Sequence, residues 1–339
     1  MKTVNSIRED DDPTLSSNDR GSLEEWFNEG ISCAPERLSV SVEGVEIETL
    51  VWGKEGAPGV LLVHGLNAHA DWWSHIGPHL AEGFRVAAVT LSFAGAWRER
   101  YSYEGFANEL WECAQAASLY DSGRPPAYVG HSFGGNQVVY TARRYPERLS
   151  SGILVDCGIV LPPPTYPMPK AYAESEALMS RDRRYRVYDT VEEAIAHYRF
   201  EPPQPCDHRF IVEHVARKSL RGVPTNSGQA GWTWRYDPQI SSKWDLSRTA
   251  SISETHPPPM AHVWGERSAR TAPFCHAPSM LDLKRVGIPL AHHHVMLDQP
   301  VALIAALRHR NKLAARARRR PARAGRPTQM IIAGLRRRS

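Results

Sequence analysis

The chain has 339 residues, of which 42% are hydrophobic, and its formal net charge is +4. This length can bury a large core, and the composition is that of a globular protein. No apolar run reaches the roughly 18 residues of a membrane-spanning helix, and the acidic N-terminal segment lacks the apolar core of a secretory signal. The five cysteines are scattered without a close pair, which favours reduced thiols and a cytoplasmic location.

The positive charge is confined to the C-terminal end. Residues 308–339 hold twelve of the 41 Lys and Arg residues and no Asp or Glu, which leaves 29 basic against 37 acidic residues in 1–307, a net charge of −8. The body therefore gives no reason to expect nucleic-acid binding. Clustered arginines in the tail could contact nucleic acid or an anionic membrane. We favour instead a disordered, solvated extension without a part in the chemistry.

The first half of the chain alternates predicted strands and helices. Residues 1–35 are polar, and only the segment around Trp26 and Phe27 could form a helical turn, so we predict a mostly disordered arm. Alternating segments on both sides of Glu43-Gly44 predict a hairpin. Continuous apolar runs predict strands buried on both faces, at 59–63, 84–91, 127–129 and 153–155. Predicted helices at 71–81, 103–119 and 132–145 separate them, which indicates an α/β fold with a mostly parallel sheet.

Residues 161–249 have a different pattern. A proline cluster is followed by three predicted amphipathic helices, at 170–179, 190–200 and 207–221, and Thr190 with Glu193 predicts a capping box. We interpret this region as a helical cap inserted into the sheet domain. The sheet domain then comprises 36–160 and 250–307, with later strands at 260–265 and 285–290 and a closing helix at 300–307.

A Gly-X-Ser-X-Gly motif, Gly130 to Gly134, lies where a predicted strand meets a predicted helix. A sharp turn at this point lifts the Ser132 hydroxyl clear of the sheet, and the two glycines let the backbone pass close by. The start of the helix presents unpaired N–H groups that favour an anion next to Ser132. The motif therefore predicts a nucleophilic serine.

Two further segments complete the predicted site. A tight turn at Gly65 would aim the backbone N–H of Leu66 into the site, where it and the N–H of Phe133 would form an oxyanion hole. Three histidines, 292–294, follow the last strand, and one of them could reach Ser132 as a general base. Because consecutive residues cannot all face one ion, we do not interpret this run as a metal site. His64 is interpreted as a brace of its turn.

With these motifs the chain resembles the α/β-hydrolase-fold superfamily, in the cap-bearing group of esterases, carbon–carbon bond hydrolases and haloperoxidase-like enzymes. The resemblance covers roughly 36–307 and implies an eight-stranded, mostly parallel sheet flanked by helices. The family places its catalytic histidine seven residues before a proline, which selects His293, with His294 as the fallback. Dehalogenases and epoxide hydrolases of this fold use an aspartate nucleophile, so Ser132 disfavours both activities.

The third member of the triad departs from the family pattern. Similar enzymes carry their acid three residues after the glycine that closes the seventh strand, where this chain has Ser268. A serine cannot stabilise an imidazolium as a carboxylate does. Asp156, at the end of the sixth strand, is the preferred substitute, Glu266 is the alternative, and a site without an acid also stays open.

Together these residues predict a serine hydrolase that cleaves an ester-like or other activated carbonyl compound through an acyl-enzyme. No metal or organic cofactor is implied. Three alternatives stay open: a cofactor-free oxygenase of the same fold, an acyltransferase or perhydrolase, and a non-catalytic binding protein. Four tryptophans are candidate walls of an apolar substrate pocket in the cap region: Trp72, Trp73, Trp232 and Trp234.

Overall fold

The computed structural model describes residues 17–158, 186–225, 227–245, 258–271 and 283–317. Its strands are β1 (Glu36–Val42), β2 (Val45–Trp52), β3 (Gly59–Val63), β4 (Arg85–Val89), β5 (Ala127–His131), β6 (Ser151–Val155), β7 (Leu220–Pro224), β8 (Ala230–Trp234), β9 (Met260–Gly265) and β10 (Lys284–Ile288). Its α-helices are α1 (Ser17–Ser32), α2 (Gly77–Ala81), α3 (Tyr103–Ala116), α4 (Phe133–Arg144), α5 (Val191–Ala196), α6 (Arg209–Lys218), α7 (Val295–Asp298) and α8 (Pro300–Ala317).

Eight of these strands form one sheet in the order β1-β2-β4-β3-β5-β6-β9-β10. The pairs β1–β2 and β2–β4 are antiparallel, and every pair from β4 to β10 is parallel. This confirms the predicted α/β fold with a mostly parallel, eight-stranded sheet. The predicted hairpin is β1–β2, and its turn places Glu43 and Gly44 at positive φ (48° and 83°), as a two-residue hairpin loop with matching twist requires.

Both faces of the sheet are covered, which explains the continuous apolar runs. Alternate residues of β3 belong to two separate core clusters, Val60 and Leu62 to one and Leu61 and Val63 to the other. Strand β5 is likewise buried along its whole length. Because strands β3, β5, β6 and β10 are parallel, their carboxyl ends meet at one edge, and Gly65, Ser132, Asp156 and His293 of the next section follow these strands there.

The N-terminal arm differs from the prediction of disorder. Residues 17–32 form helix α1, while residues 1–16 lie outside the described residues. Phe27 is 3% exposed in the main core, and Trp26 stacks on His79 with ring centroids 4.3 Å apart. The polar composition concealed a few apolar residues at helical spacing, and burial against the sheet domain stabilises the helix that they form.

The region interpreted as a helical cap, here called the cap region, lies between β6 and β9 in the chain, but it is not purely helical. The predicted helices shorten to α5 and α6, and strands β7 and β8 form an antiparallel hairpin after them. The aromatic and β-branched residues near Trp232 suit a strand, and strand pairing satisfies their backbone groups. The predicted capping box is partly formed, since Thr190 Oγ1 accepts a 3.1 Å hydrogen bond from Glu193 N. The predicted helix at 170–179 lies outside the described residues.

The closing helix α8 begins at Pro300 as predicted but continues to Ala317. Leu303 and Leu307 anchor it in the core, and the Ala-, Lys- and Arg-rich sequence that follows has no helix breaker before Pro321. Residues 308–317, predicted as the start of a disordered tail, are therefore helical, whereas residues 318–339 lie outside the described residues and their disorder stays a prediction. None of the helices within the described ranges combines the length and the apolar run needed to span a bilayer.

Candidate active site

Ser132 occupies a strained turn between β5 and α4. Its φ is +50°, a region that a non-glycine residue rarely adopts, and the turn is held by a 3.0 Å hydrogen bond from Ser132 N to Val155 O. A Cβ on Gly130 would lie 2.4 Å from Gly134 O, and a Cβ on Gly134 would lie 2.4 Å from His64 O. Only glycine fits at these two positions, which accounts for the motif.

His293 reaches this serine from the loop between β10 and α7. Its Nε2 lies 3.0 Å from Ser132 Oγ, within the range expected for a nucleophile and its base. The His293 side chain is buried, whereas Ser132 is half-buried. The geometry is therefore that of an accessible hydroxyl hydrogen-bonded to an imidazole protected from solvent.

Asp156 lies on the other side of the imidazole. Its Oδ1 is 2.8 Å from His293 Nδ1, and it also accepts hydrogen bonds from Ser268 Oγ at 2.6 Å and from Thr271 Oγ1. Its Oδ2 accepts from Gly265 N at 2.8 Å. Burial by itself would raise the pKa of Asp156, but these donors, His293 foremost, lower it below its ordinary value. The carboxylate is thus held ionised inside the protein.

Glu266, the alternative acid, is not part of this arrangement. Its side chain is exposed and lies over Gly287 on β10, where a Cβ would come within 2.6 Å of Glu266 Oε1. Glu266 directly follows the last residue of β9, and its side chain points to solvent. Ser268 takes the inward position instead and donates to Asp156.

The turn after β3 passes beside the serine. A Cβ on Gly65 would lie 3.4 Å from Ser132 Cβ, so the backbone of Gly65 and Leu66 borders the reactive hydroxyl. His64 braces this turn, since its Nδ1 donates to Gly65 O at 2.7 Å and its Nε2 accepts from Leu91 N at 3.0 Å. Burial lowers the pKa of His64 to about 3, so its ring is neutral. The oxyanion roles of the Leu66 and Phe133 N–H groups stay predictions.

The sequence analysis missed Gln204, which approaches from the cap. Gln204 Oε1 accepts from His294 N at 2.8 Å, and its Nε2 lies 3.1 Å from each carboxylate oxygen of Asp298. Asp298 Oδ2 in turn accepts from His292 N at 2.7 Å. No local pattern around Gln204 signals this contact, which joins residues about 90 positions apart.

One group of side chains within the described ranges could hold a metal ion: His131, His293 and His294, each with a ring nitrogen within 4.8 Å of the others. Both ring nitrogens of His293 are already engaged, one by Ser132 and one by Asp156. Burial also lowers the pKa of His131 to about 3, and its Nε2 bonds to His293 O at 3.0 Å. The rings of His131 and His294 pack against that of His293, with centroids 4.8 and 5.0 Å away, and the absence of a metal stays a prediction.

A cavity of about 130 Å³ opens beside the turn after β3. Trp72 and Trp234 line it, as predicted. The other two predicted walls do not: Trp73 is fully buried in the main core, and Trp232 packs in a small cluster within the cap. The full lining comprises Leu66, Asn67, Trp72, His197, Tyr198, Arg199, Phe200, Glu201, Ser219, Trp234 and Tyr236.

Comparison with known proteins gives a consistent assignment. A family model described as "Alpha/beta hydrolase family" matches residues 60–307. Esterase Rv0045c of Mycobacterium tuberculosis (strain ATCC 25618 / H37Rv) is 28% identical over 290 residues, 79% of this chain and 87% of that protein. Its solved structure, from work on transition metal inhibition of that esterase, is 23% identical with a TM-score of 0.58 and covers 88% of this chain and 100% of that one.

Other curated relatives match over shorter segments. Lipase LipV of the same Mycobacterium tuberculosis strain is 28% identical over 120 residues, 34% of this chain and 44% of LipV. The first three curated relatives are matched over only 29% to 44% of their own length. The solved structure of Rv0045c is only 23% identical in sequence to this chain, so its similarity establishes the fold and no more.

Proposed function

We propose that this chain, which belongs to the α/β hydrolase family, is a serine hydrolase that cleaves a small ester or another activated carbonyl compound. Esterases and a lipase among its relatives support a hydrolase. The observation that carries the proposal is the contact of 3.0 Å between Ser132 Oγ and His293 Nε2. The contact of 2.8 Å between His293 Nδ1 and Asp156 Oδ1 extends it to an arrangement of the triad kind.

In the proposed reaction, Ser132 Oγ attacks the carbonyl carbon while its proton passes to His293 Nε2. Asp156 stabilises the imidazolium that forms. The tetrahedral intermediate collapses to an acyl-enzyme as His293 returns the proton to the leaving alcohol. His293 then takes a proton from water, which attacks the acyl carbon, and it returns this proton to Ser132 Oγ as the ester bond breaks and the acid leaves. Every proton moves through Nε2, because Nδ1 stays bonded to Asp156.

The negative charge of the intermediate needs donors on the side of the carbonyl oxygen. We assign these to the N–H groups of Leu66, in the turn beside Ser132, and Phe133, at the first turn of α4. The first N–H groups of a helix have no intrahelical partner, and its dipole favours an anion there. Such donors stabilise charge that develops only in the transition state.

The cavity limits the size of the group that the enzyme can accept. Its volume is about 130 Å³, and apolar cavities of roughly 150 Å³ hold one benzene molecule. Five of its eleven lining residues are aromatic, among them Trp72, Phe200 and Trp234, while polar and charged side chains such as Arg199 and Glu201 line the rest. We therefore assign it to one compact acyl or alcohol group, such as a single ring or a short chain.

A series of p-nitrophenyl esters of increasing acyl length tests the proposed function. We expect turnover of the short-chain members and a steep decrease in kcat/KM once the acyl chain exceeds the cavity. Enlarging the cavity with Trp72→Ala should extend the accepted chain length. An absence of turnover across the whole series by the folded protein would contradict the hydrolase assignment, and equal kcat/KM at all lengths would contradict the role of the cavity.

A further inference from the structure

We propose that Glu201 and Gln204, two residues of one cap segment, are positioning residues that hold the oxyanion turn and the general-base loop in a common register. Here the oxyanion turn is 65–67 and the general-base loop is 291–294. The proposal rests on the proposed function of Ser132 and His293. The cap segment then has two roles. It contributes Glu201 to the wall of the cavity, and it holds the two loops beside Ser132 and His293.

The general-base loop is held on both sides of its histidine. Gln204 Oε1 accepts from His294 N at 2.8 Å, directly after His293. Directly before it, His292 N donates to Asp298 Oδ2 at 2.7 Å. Gln204 Nε2 bonds the same carboxylate, at 3.1 Å from each oxygen. One carboxamide therefore closes a hydrogen-bonded ring around the backbone that carries the general base.

The oxyanion turn is held by the same segment, three residues earlier. Asn67 Nδ2 donates to Glu201 Oε2 at 2.8 Å. Asn67 has a φ of +61°, a left-handed conformation that a single non-glycine residue adopts at a cost. Its side-chain bond to Glu201 fixes this residue, and with it the direction of the adjoining Leu66 backbone.

The cap segment is itself fixed to the sheet domain near these contacts. His208 Nε2 bonds to Asp298 O at 3.1 Å, and His208 is 6% exposed. Because Glu201 and Gln204 are three residues apart on a segment tied at its far end, the oxyanion turn and the base loop cannot shift independently of one another. Glu201 and Asn67 both line the cavity, so a ligand bound there would contact the two residues that hold the oxyanion turn.

The test compares variants that remove each contact with conservative and control variants. Gln204→Ala should lower kcat for a short p-nitrophenyl ester about tenfold, the effect of losing roughly one hydrogen bond in the transition state, with KM changed less than about twofold. Glu201→Ala should lower kcat to a similar extent and also change KM, because Glu201 lines the cavity as well. Glu201→Gln keeps an acceptor oxygen for Asn67 and should restore most of kcat. Gln229→Ala, in an exposed cap loop, is the matched control and should leave kcat unchanged.

A spectroscopic signature separates positioning from general destabilisation. The proton shared by His293 Nδ1 and Asp156 should give a downfield proton resonance in NMR spectra. Gln204→Ala should shift or broaden this resonance, and Gln229→Ala should not. If Gln204→Ala does not fold, Gln204→Met keeps the length of the side chain without its polar atoms and serves the same purpose.

An unchanged kcat together with an unchanged resonance in the Gln204 variant would overturn the proposal, as would an effect on KM alone. These outcomes differ from failure of the proposed function. If the wild-type protein has no ester turnover but Gln204→Ala still moves the His293 resonance, the hydrolase assignment fails and the positioning contact stands. If the wild-type protein turns over the ester and neither Gln204→Ala nor Glu201→Ala changes kcat, the hydrolase assignment stands and the positioning role fails.

Discussion

Ser268 donates a hydrogen bond of 2.6 Å to Oδ1 of Asp156, although the two residues are 112 positions apart in sequence. Strands β6 and β9 are parallel neighbours, and Asp156 N bonds to Val263 O at 2.7 Å, which brings the ends of both strands together. Ser268 stands where similar enzymes carry their acid. Asp156, directly after β6, thus receives a hydrogen bond from the position after β9 where the resemblance places an acid.

This relationship predicts that a carboxylate at position 268 can partly replace the carboxylate of Asp156. Asp156→Asn should lower kcat for a short ester by on the order of 10⁴, the loss known for removal of a triad acid, whereas Glu266→Gln should have little effect. Adding Ser268→Asp to Asp156→Asn should restore part of the activity, because it returns a carboxylate to the side of Asp156 from which Ser268 now donates. Steady-state kinetics of the four variants, including Ser268→Asp alone, measure this.

Equal and mild losses in the Asp156 and Glu266 variants would mean that neither residue completes a triad. A larger loss in Glu266→Gln would move the acid to β9 against the geometry. The single Ser268→Asp variant is the necessary control, since two adjacent buried carboxylates repel each other and should by themselves reduce stability.

The sequence predicted those features that depend on neighbouring residues. The turn at Ser132 follows from two glycines and an apolar run, and the parallel sheet follows from runs such as β3 that are buried on both faces. The resemblance to the family selects His293, which stands seven residues before Pro300. Each of these signals lies within about ten residues of the feature that it predicts.

The features that could not be predicted depend on contacts between distant segments. The choice between Asp156 and Glu266 rests on how β6 and β9 align, and the role of Gln204 rests on how the cap meets α7. Helix α1 was missed because its stability comes from burial of Phe27 against the sheet domain and not from its polar sequence. Propensity and composition carry no information on such tertiary contacts.

Buried neutral histidines predict a loss of stability below neutral pH. Burial lowers the pKa of His64 and His131 to about 3 and that of His75 and His262 to about 4. The unfolded chain takes up these protons from about pH 6.5 downward, whereas the folded chain takes them up only near pH 3 to 4. The contribution of these neutral histidines to the free energy of unfolding is therefore fully present above about pH 6.5 and decreases as the pH falls from there toward 4.

Each such histidine lowers the free energy of unfolding by up to about 1.4 kcal/mol for every pH unit below this point. Denaturant unfolding at about pH 7, 6 and 5 measures the slope, and His262→Phe should reduce it by about one proton. His262 suits this test because neither of its ring nitrogens has a hydrogen-bond partner within the described part of the chain. A stability that does not change across this range would contradict the neutral, buried state of these rings.

The C-terminal tail is predicted to be dispensable. Arg308 bonds to His79 O and pairs with Glu82 at 2.6 Å, and the basic cluster lies beyond this contact. Ending the chain after Arg310 should leave Tm and ester turnover nearly unchanged, since it keeps the anchored part of α8. Arg308→Ala should cost less than about 1 kcal/mol, as exposed ion pairs do. A clear decrease in Tm on truncation would show that the tail packs on the body.

The central claim is that Ser132 is an activated nucleophile. The most direct measurement is covalent labelling by a fluorophosphonate probe, followed by mass spectrometry of the labelled peptide, in wild type and in Ser132→Ala. We predict one label on Ser132 in the wild type, none in Ser132→Ala, and much slower labelling in His293→Ala. A folded wild-type protein that stays unlabelled would contradict the claim, and would favour a cofactor-free oxygenase or a binding protein on this fold.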